Sequence, residues 1–403
     1  MRAAVITGLG VLAPTGRTVA EHWSSVLAGR SALAGITHFD ASSYPARVAG
    51  TVAGFAAREQ VPGRVVPQTD RWTHLGLAAA AQALDDAALD PAALPEYEMG
   101  VTTASSSGGT EFGQREIEAL WRDGPGHVGA YQSIAWFYAA TTGQISIRHG
   151  MRGPCGVLVT EQAGGLDAIG QARRLVRGGL RAVVTGGTDA SLCPYGLVAQ
   201  LSSGRLSTGT DPARAYAPFD VDAAGHVPGE GGGMLIVEEA EAATARAAAH
   251  RYGTVAGYAA TFDPPPGSAR PPALGRAITA ALADAGLRPE RIGAVFADAA
   301  AVPELDRQEA HAIAGVFGPY GVPVTAPKTM TGRLYAGGAA LDLVTALLAL
   351  RDGVIPPTSG VRHPVDELRL DLVRDGPRQA DLEHVLVLGR GFGGFNAAVV
   401  LSR

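Results

Sequence analysis

The residues best placed by type and spacing to do chemistry lie around Gln162. Cys155-Gly156-Val157-Leu158-Val159-Thr160 is an apolar, β-rich run behind Gly153-Pro154, and it predicts a short buried strand over 155–160. From Ala163 onward, Leu166, Ile169, Ala172, Leu175 and Val176 recur at helical spacing. Arg173, Arg174 and Arg177 fall in the last turn and Gly178-Gly179 closes it, as a helix C-terminus prefers. Gln162 therefore sits at a strand-to-helix elbow, on the positive end of a helix, where a thiolate or a developing oxyanion is stabilised. Glutamine is no nucleophile, since its neutral carboxamide only donates and accepts hydrogen bonds. An ordinary helix cap accounts equally well for an isolated glutamine. Two other stretches imitate known sites. Thr7-Gly8-Leu9-Gly10 lacks the third glycine of a dinucleotide fingerprint and reads as a glycine turn between strand and helix. Ser105-Ser106-Ser107 forms no Gly-x-Ser-x-Gly elbow, so a serine hydrolase is unsupported.

Several motifs together carry a resemblance. Val159-Thr160-Glu161-Gln162-Ala163-Gly164-Gly165 resembles the active-site elbow of β-ketoacyl synthases, with Gln162 in place of the acylated cysteine. Glutamine there marks the chain-length factor, the partner subunit of aromatic (type II) polyketide ketosynthases. The opening Val5-Ile6-Thr7-Gly8-Leu9-Gly10, Pro218-Phe219-Asp220 and the glycine-rich stretch from Gly229 to Gly233 are similar to further family signatures. The family's first catalytic imidazole is replaced by Asp298, after Val295-Phe296-Ala297. The second is replaced by Arg333, at the end of Lys328-Thr329-Met330-Thr331-Gly332. Lys328, Asp306 and Glu309 are retained, and the resemblance implies a structural ion-pair set for them. Gly389-Arg390-Gly391-Phe392-Gly393-Gly394-Phe395-Asn396 resembles the oxyanion and gating loop, with Phe392 as the gate beside Gly393. It also matches Gly-x-Gly-x-x-Gly, but a strand follows it, so no dinucleotide-binding helix fits.

The resemblance implies a thiolase-like five-layered α-β-α-β-α fold of two similar halves, 1–251 and 252–403. It implies a site without its catalysts, because none of Gln162, Asp298 and Arg333 is both nucleophile and proton shuttle, and arginine does not deprotonate in proteins. Asp298 and Arg333 are expected to neutralise each other. The expected function is a subunit inactive alone, paired as a heterodimer with an active ketosynthase that builds aromatic polyketides from malonyl units on acyl carrier protein. No cofactor and no metal is expected. The alternative is a malonyl-carrier-protein decarboxylase in which Gln162 holds the thioester carbonyl; such domains keep their histidines, and this chain has neither. A synthase using Cys155 or Cys193 is disfavoured, since neither lies at the elbow. In chain-length factors the helix matching 110–121 borders the product tunnel. Thr110, Gly113 and Ile117 share one face of it, with Leu197 a weaker candidate for the same wall. Small side chains there imply long products, decaketide or beyond.

The elements that must position these residues alternate as in an α/β protein. Helices are predicted over 73–88, 110–121, 239–250, 274–285, 306–317 and 339–350, and strands over 3–6, 99–103, 182–185, 294–297, 322–326, 384–388 and 396–401. The strands at 155–160 and 182–185 with the helix between them imply a parallel pair. The aromatic patch from Tyr131 to Tyr138 reads as core first and as an oligomer interface second. The 403 residues are 46% apolar, and their 54 glycines are about twice the usual share. A net charge of -5 without a basic cluster argues against nucleic acid or an anionic membrane as partner. The start is too short in apolar residues for a signal peptide, and Asp342 interrupts the most apolar late segment, so no membrane span is expected and the location is expected to be cytoplasmic.

Overall fold

Ten strands and eight helices of the computed structural model, which describes residues 2–403, position the site. The strands are β1 (Ala4–Leu12), β2 (Met99–Ala104), β3 (Cys155–Leu158), β4 (Ala182–Ala190), β5 (Glu230–Glu239), β6 (Gly253–Phe262), β7 (Ala294–Phe296), β8 (Pro323–Thr325), β9 (His384–Arg390) and β10 (Phe395–Ser402). The helices are α1 (Arg71–Asp86), α2 (Thr110–Asp123), α3 (Ala140–His149), α4 (Gly164–Arg177), α5 (Pro194–Leu201), α6 (Leu274–Ala285), α7 (Pro303–Phe317) and α8 (Ala336–Asp352).

The strands run in the order β3-β2-β4-β5-β1 and then β6-β10-β9-β7-β8, with a short strand at Asp371–Leu372 beyond β8. Each half repeats the other in order and in sense. β2 is parallel to β3 and β4, as β7 is to β8 and β9, the short strand beyond β8 is parallel to it, and the remaining neighbours are antiparallel. β1 and β6 join the halves through Val5–Thr254 and Ile6–Gly253. Helix α8 is buried from Ala336 to Leu350, as a helix apolar on every side must be. It packs on β4 and β5 of one half, on β9 of the other and along α4. Helix α1 covers the outer face of the first half and α6 that of the second. This is the five-layered arrangement, with α4 and α8 as its central layer. Among the described residues no helix is long and apolar enough to cross a membrane.

Five local expectations are corrected. The glycines after Ile6 make no turn, because β1 continues to Leu12 in register with β5. Glycine is required there by close approach, since a Cβ on Gly8 would lie 2.1 Å from the Ala83 carbonyl oxygen and one on Gly10 1.9 Å from that of Ala79. β3 and β4 are parallel but not paired, because β2 lies between them. β3 is not buried; it is the last strand of the sheet, with Cys155 and Gly156 exposed along an open edge. The aromatic patch is not core either. Trp136 and Phe137 are 47% and 55% exposed, beside half-open Tyr131 and Ile134. The helix expected over 239–250 is limited to Ala240–Ala245.

Adding a methyl group at Gly8 or Gly10 overpacks backbone against backbone. Gly10→Ala should destabilise the protein by about 1–3 kcal/mol, read as a lower denaturation midpoint at unchanged slope.

Candidate functional site

Gln162 lies in the single 3₁₀ turn Glu161–Ala163 that leads into α4. The turn is tight enough to hold Glu161 at φ 51, an uncommon conformation for a side chain without glycine's freedom. Gln162 is fully buried, and neither atom of its carboxamide has a hydrogen-bond partner among the described residues. It rests against the first turn of α8 at Gly338, where a Cβ would lie 2.4 Å from Nε2. The positive end of α4 is therefore capped by a neutral group with no acidic proton to give.

Asp298 and Arg333 close the site opposite. Arg333 Nη1 donates to Asp298 Oδ2 at 3.0 Å and to the Asp298 carbonyl at 3.0 Å. Its Nη2 donates to Asp298 Oδ1 at 3.2 Å and to the Arg390 carbonyl at 3.0 Å. The Arg390 amide completes the set by donating to Asp298 Oδ1 at 2.8 Å. Burial pushes the Asp298 carboxyl up, but the charges of Arg333 and Lys328 outweigh it and hold the group below the usual carboxylate range. The pair is thus ionised, bidentate and almost wholly buried.

The retained charges do not form one ion-pair set. Lys328, the only lysine in the sequence, pairs with Asp342 of α8 at 2.7 Å and donates to the Ala297 carbonyl at 2.7 Å. Glu309 accepts from the Asp298 and Ala299 amides at 2.7 and 2.8 Å, and Asp306 from the Phe219 amide at 2.8 Å. The reason is backbone satisfaction: the loop after β7 runs through Ala299 and Ala301 at φ 52 and 54, and its freed amides need buried acceptors. Burial, then the Asp298 charge, pushes the Glu309 carboxyl up, and burial lifts Asp306 to about 7.

Sequence reasoning missed several residues that hold the site. Asp189, at the end of β4, accepts from the Ser106, Ser107 and Ala336 amides and from the Ser105 and Ser107 hydroxyls. It ties the serine turn before α2 to the start of α8, and burial lifts its carboxyl to about 6. Glu161 accepts from the Phe392 amide at 2.9 Å, and the Arg205 guanidinium lies 4.8 Å over the Phe392 ring. Asp342 carried a sequence signal, as the one charge inside an apolar helix.

A cleft of about 1120 Å³ reaches these residues. Asp298, Arg333, Glu161, Phe392, Gly393 and Thr110 line it. Gly113 and Ile117 do not. Gly113 abuts the Trp136 indole, and Ile117 is 44% exposed on the outer face of α2. Leu197 is fully buried in a separate cluster with Ala46 and Leu206, so it stands off the cleft wall.

Residues 1–243 match the family described as "Beta-ketoacyl synthase, N-terminal domain" and residues 252–362 the corresponding C-terminal domain. The chain is 58% identical to the tetracenomycin polyketide synthase ketoacyl synthase beta subunit of Streptomyces glaucescens, over 99% of this chain and 98% of that protein. It is 57% identical to the actinorhodin polyketide putative beta-ketoacyl synthase 2 of Streptomyces coelicolor, with the same coverage. Among solved structures, the ishigamide ketosynthase/chain length factor superposes with a TM-score of 0.92 at 28% identity, covering 100% of this chain and 99% of that one. A type II PKS acyl-carrier protein in complex with its ketosynthase bound to the hexaketide gives 0.89 at 26% identity, covering 100% and 99%.

Removing one partner of the buried pair strands the other charge. Asp298→Asn or Arg333→Met should each cost about 3–5 kcal/mol, and the double substitution less than the sum. The folded Asp298 carboxyl titrates below its unfolded value of about 3.9. Its contribution is therefore fully present above that pH and is lost as pH falls through the folded value. Denaturation of wild type and Asp298→Asn from acid to neutral pH should show their difference shrinking only in acid.

Proposed function

The chain belongs to the β-ketoacyl synthase family, and from that premise we propose that it is the chain-length factor of a type II polyketide synthase. In this reading it is catalytically silent, pairs with an active ketosynthase in the cytoplasm and shapes the tunnel into which malonyl units on acyl carrier protein are built as a poly-β-ketone. The observation that carries the proposal is the buried Asp298–Arg333 ion pair, which supports the reading that all three catalytic positions of the family's motifs are exchanged in this chain. Two halves, 1–251 and 252–403, are the units of that scaffold.

The surface supports pairing. β3 offers an unpaired strand edge, and Trp136, Phe137, Trp121 and Val198 lie open on the same half of the molecule. Such edges and aromatic patches stay soluble when another chain covers them. The printed names of the relatives, a beta subunit and a ketosynthase/chain length factor, agree with a two-chain assembly. The decarboxylase alternative draws support from the unpartnered carboxamide of Gln162, but Asp298 and Arg333 stand where such domains keep their histidines.

For product length, we take Thr110, Gly113 and Ile117 as the α2 wall; of the three Thr110 lines the cleft, and Trp136 packs where a side chain on Gly113 would stand. We place the product at decaketide or beyond. Gly113→Phe should shift products of the reconstituted heterodimer to shorter chains while condensation continues, measured by mass spectrometry of the released polyketides. An unchanged distribution from folded heterodimer would remove α2 from the tunnel. Pairing itself is tested by co-purification: the wild-type chain should elute with the ketosynthase, and Phe137→Glu should weaken the complex at least tenfold. A stable monomer indifferent to the ketosynthase would sink the assignment.

A further inference from the structure

Among the described residues, the cleft above the dead site holds one half-buried cation that the protein leaves uncommitted; Arg270, the other lining arginine without a side-chain partner, is exposed. Arg333 spends its donors on Asp298 and the Arg390 carbonyl. Arg390 donates to the Leu305 carbonyl and to Gln308, and lies 3.9 Å from Asp263. The Arg205 guanidinium has neither an ion-pair partner nor a hydrogen-bond acceptor among the described residues, although the side chain is half-buried at the cleft wall. Its only recorded partner is the face of Phe392, at 4.8 Å. A ring face favours a cation but leaves the in-plane N–H fork free to bind an anion. The nearby Glu161 does not supply that anion. It forms no ion pair with Arg205, and its Oε2 accepts from the Phe392 amide.

The remaining walls limit what the anion is attached to. Trp136, Tyr138, Tyr335 and Phe395 line the cleft together with Phe392, and about 1120 Å³ accommodates a multi-ring molecule. Aromatic faces of this kind stack on planar ligands. The planar fork of Arg205 matches a carboxylate bidentately, and the aromatic walls beside it favour a flat organic body over a small inorganic anion.

We infer that this cleft is a binding site for an aromatic or polyketone monocarboxylic acid, whose carboxylate pairs with Arg205 and whose body stacks on the aromatic wall beside Phe392. The chemical class is that of a released polyketide acid, and a site for it on a subunit without catalysts would let product occupy the complex without blocking a reacting cysteine. The inference rests on the proposed pairing; failure to co-purify would count against that pairing, whereas loss of naphthoate binding by the intact heterodimer would count against the inference alone.

The test uses the co-purified heterodimer and 1-naphthoate as probe, followed by calorimetry. One site should be assigned to this chain by its loss in Arg205→Gln, with affinity at least tenfold weaker. 1-Naphthamide, which keeps the rings and lacks the charge, should bind the unmodified complex at least tenfold more weakly than naphthoate. That comparison needs no variant. Arg288→Gln, an exposed change outside the cleft, should leave the affinity within about twofold. Equal affinity for naphthoate and naphthamide, an unchanged affinity in Arg205→Gln, or displacement of naphthoate by inorganic phosphate at similar concentration would each overturn the inference.

Discussion

The buried pair of Asp298 and Arg333 is the interaction on which the rest of this site depends. Two charges at this depth are held by a bidentate contact, two carbonyls on the guanidinium and a backbone amide on the carboxylate. The loop that carries Asp298 is held in turn by Glu309, and the β9–β10 hairpin is held by its Arg390 carbonyl and amide. In an active ketosynthase these positions must admit substrate and move protons. Here they form a locked electrostatic plug, since arginine gives up no proton and the aspartate is held ionised.

The second buried pair, Lys328–Asp342, fixes the central helix to the same plug. Lys328 also holds the Ala297 carbonyl, one residue before Asp298, so α8, the loop after β7 and the pair are one rigid unit. Asp189 joins the serine turn ahead of α2 to the first residue of α8. The helix expected to border the tunnel is thereby anchored to the inactive site through a single carboxylate. Rigidity at the core leaves adaptability to the exposed edge, where β3 and the aromatic patch await a second chain.

Much of the fold was legible in the sequence, because helices such as 274–285 and 339–350 carry strong periodicity or continuous apolar runs. What misled was local chemistry overridden by packing. Gly8 and Gly10 looked like a turn, yet they are strand glycines forced by the carbonyls of α1. The apolar run 155–160 looked buried because apolar character alone does not tell core from surface, but it forms the open edge of the sheet. The Tyr131–Tyr138 patch was misread for the same reason. At the site, the three exchanged residues were visible from motif positions, while their supports were not. Glu161, Asp189 and Asp342 act on groups far away in sequence, and nothing in their local context says which backbone amide or lysine they serve.

The central claim is that this chain contributes shape and no chemistry. Intact-protein mass spectrometry of the heterodimer after incubation with malonyl-loaded acyl carrier protein tests it most directly, because the two subunits are weighed separately. The account predicts acyl mass added to the ketosynthase subunit alone, with this chain unmodified at every time point. A covalent acyl adduct on this chain, removed by substituting Cys155 or Cys193, would contradict it.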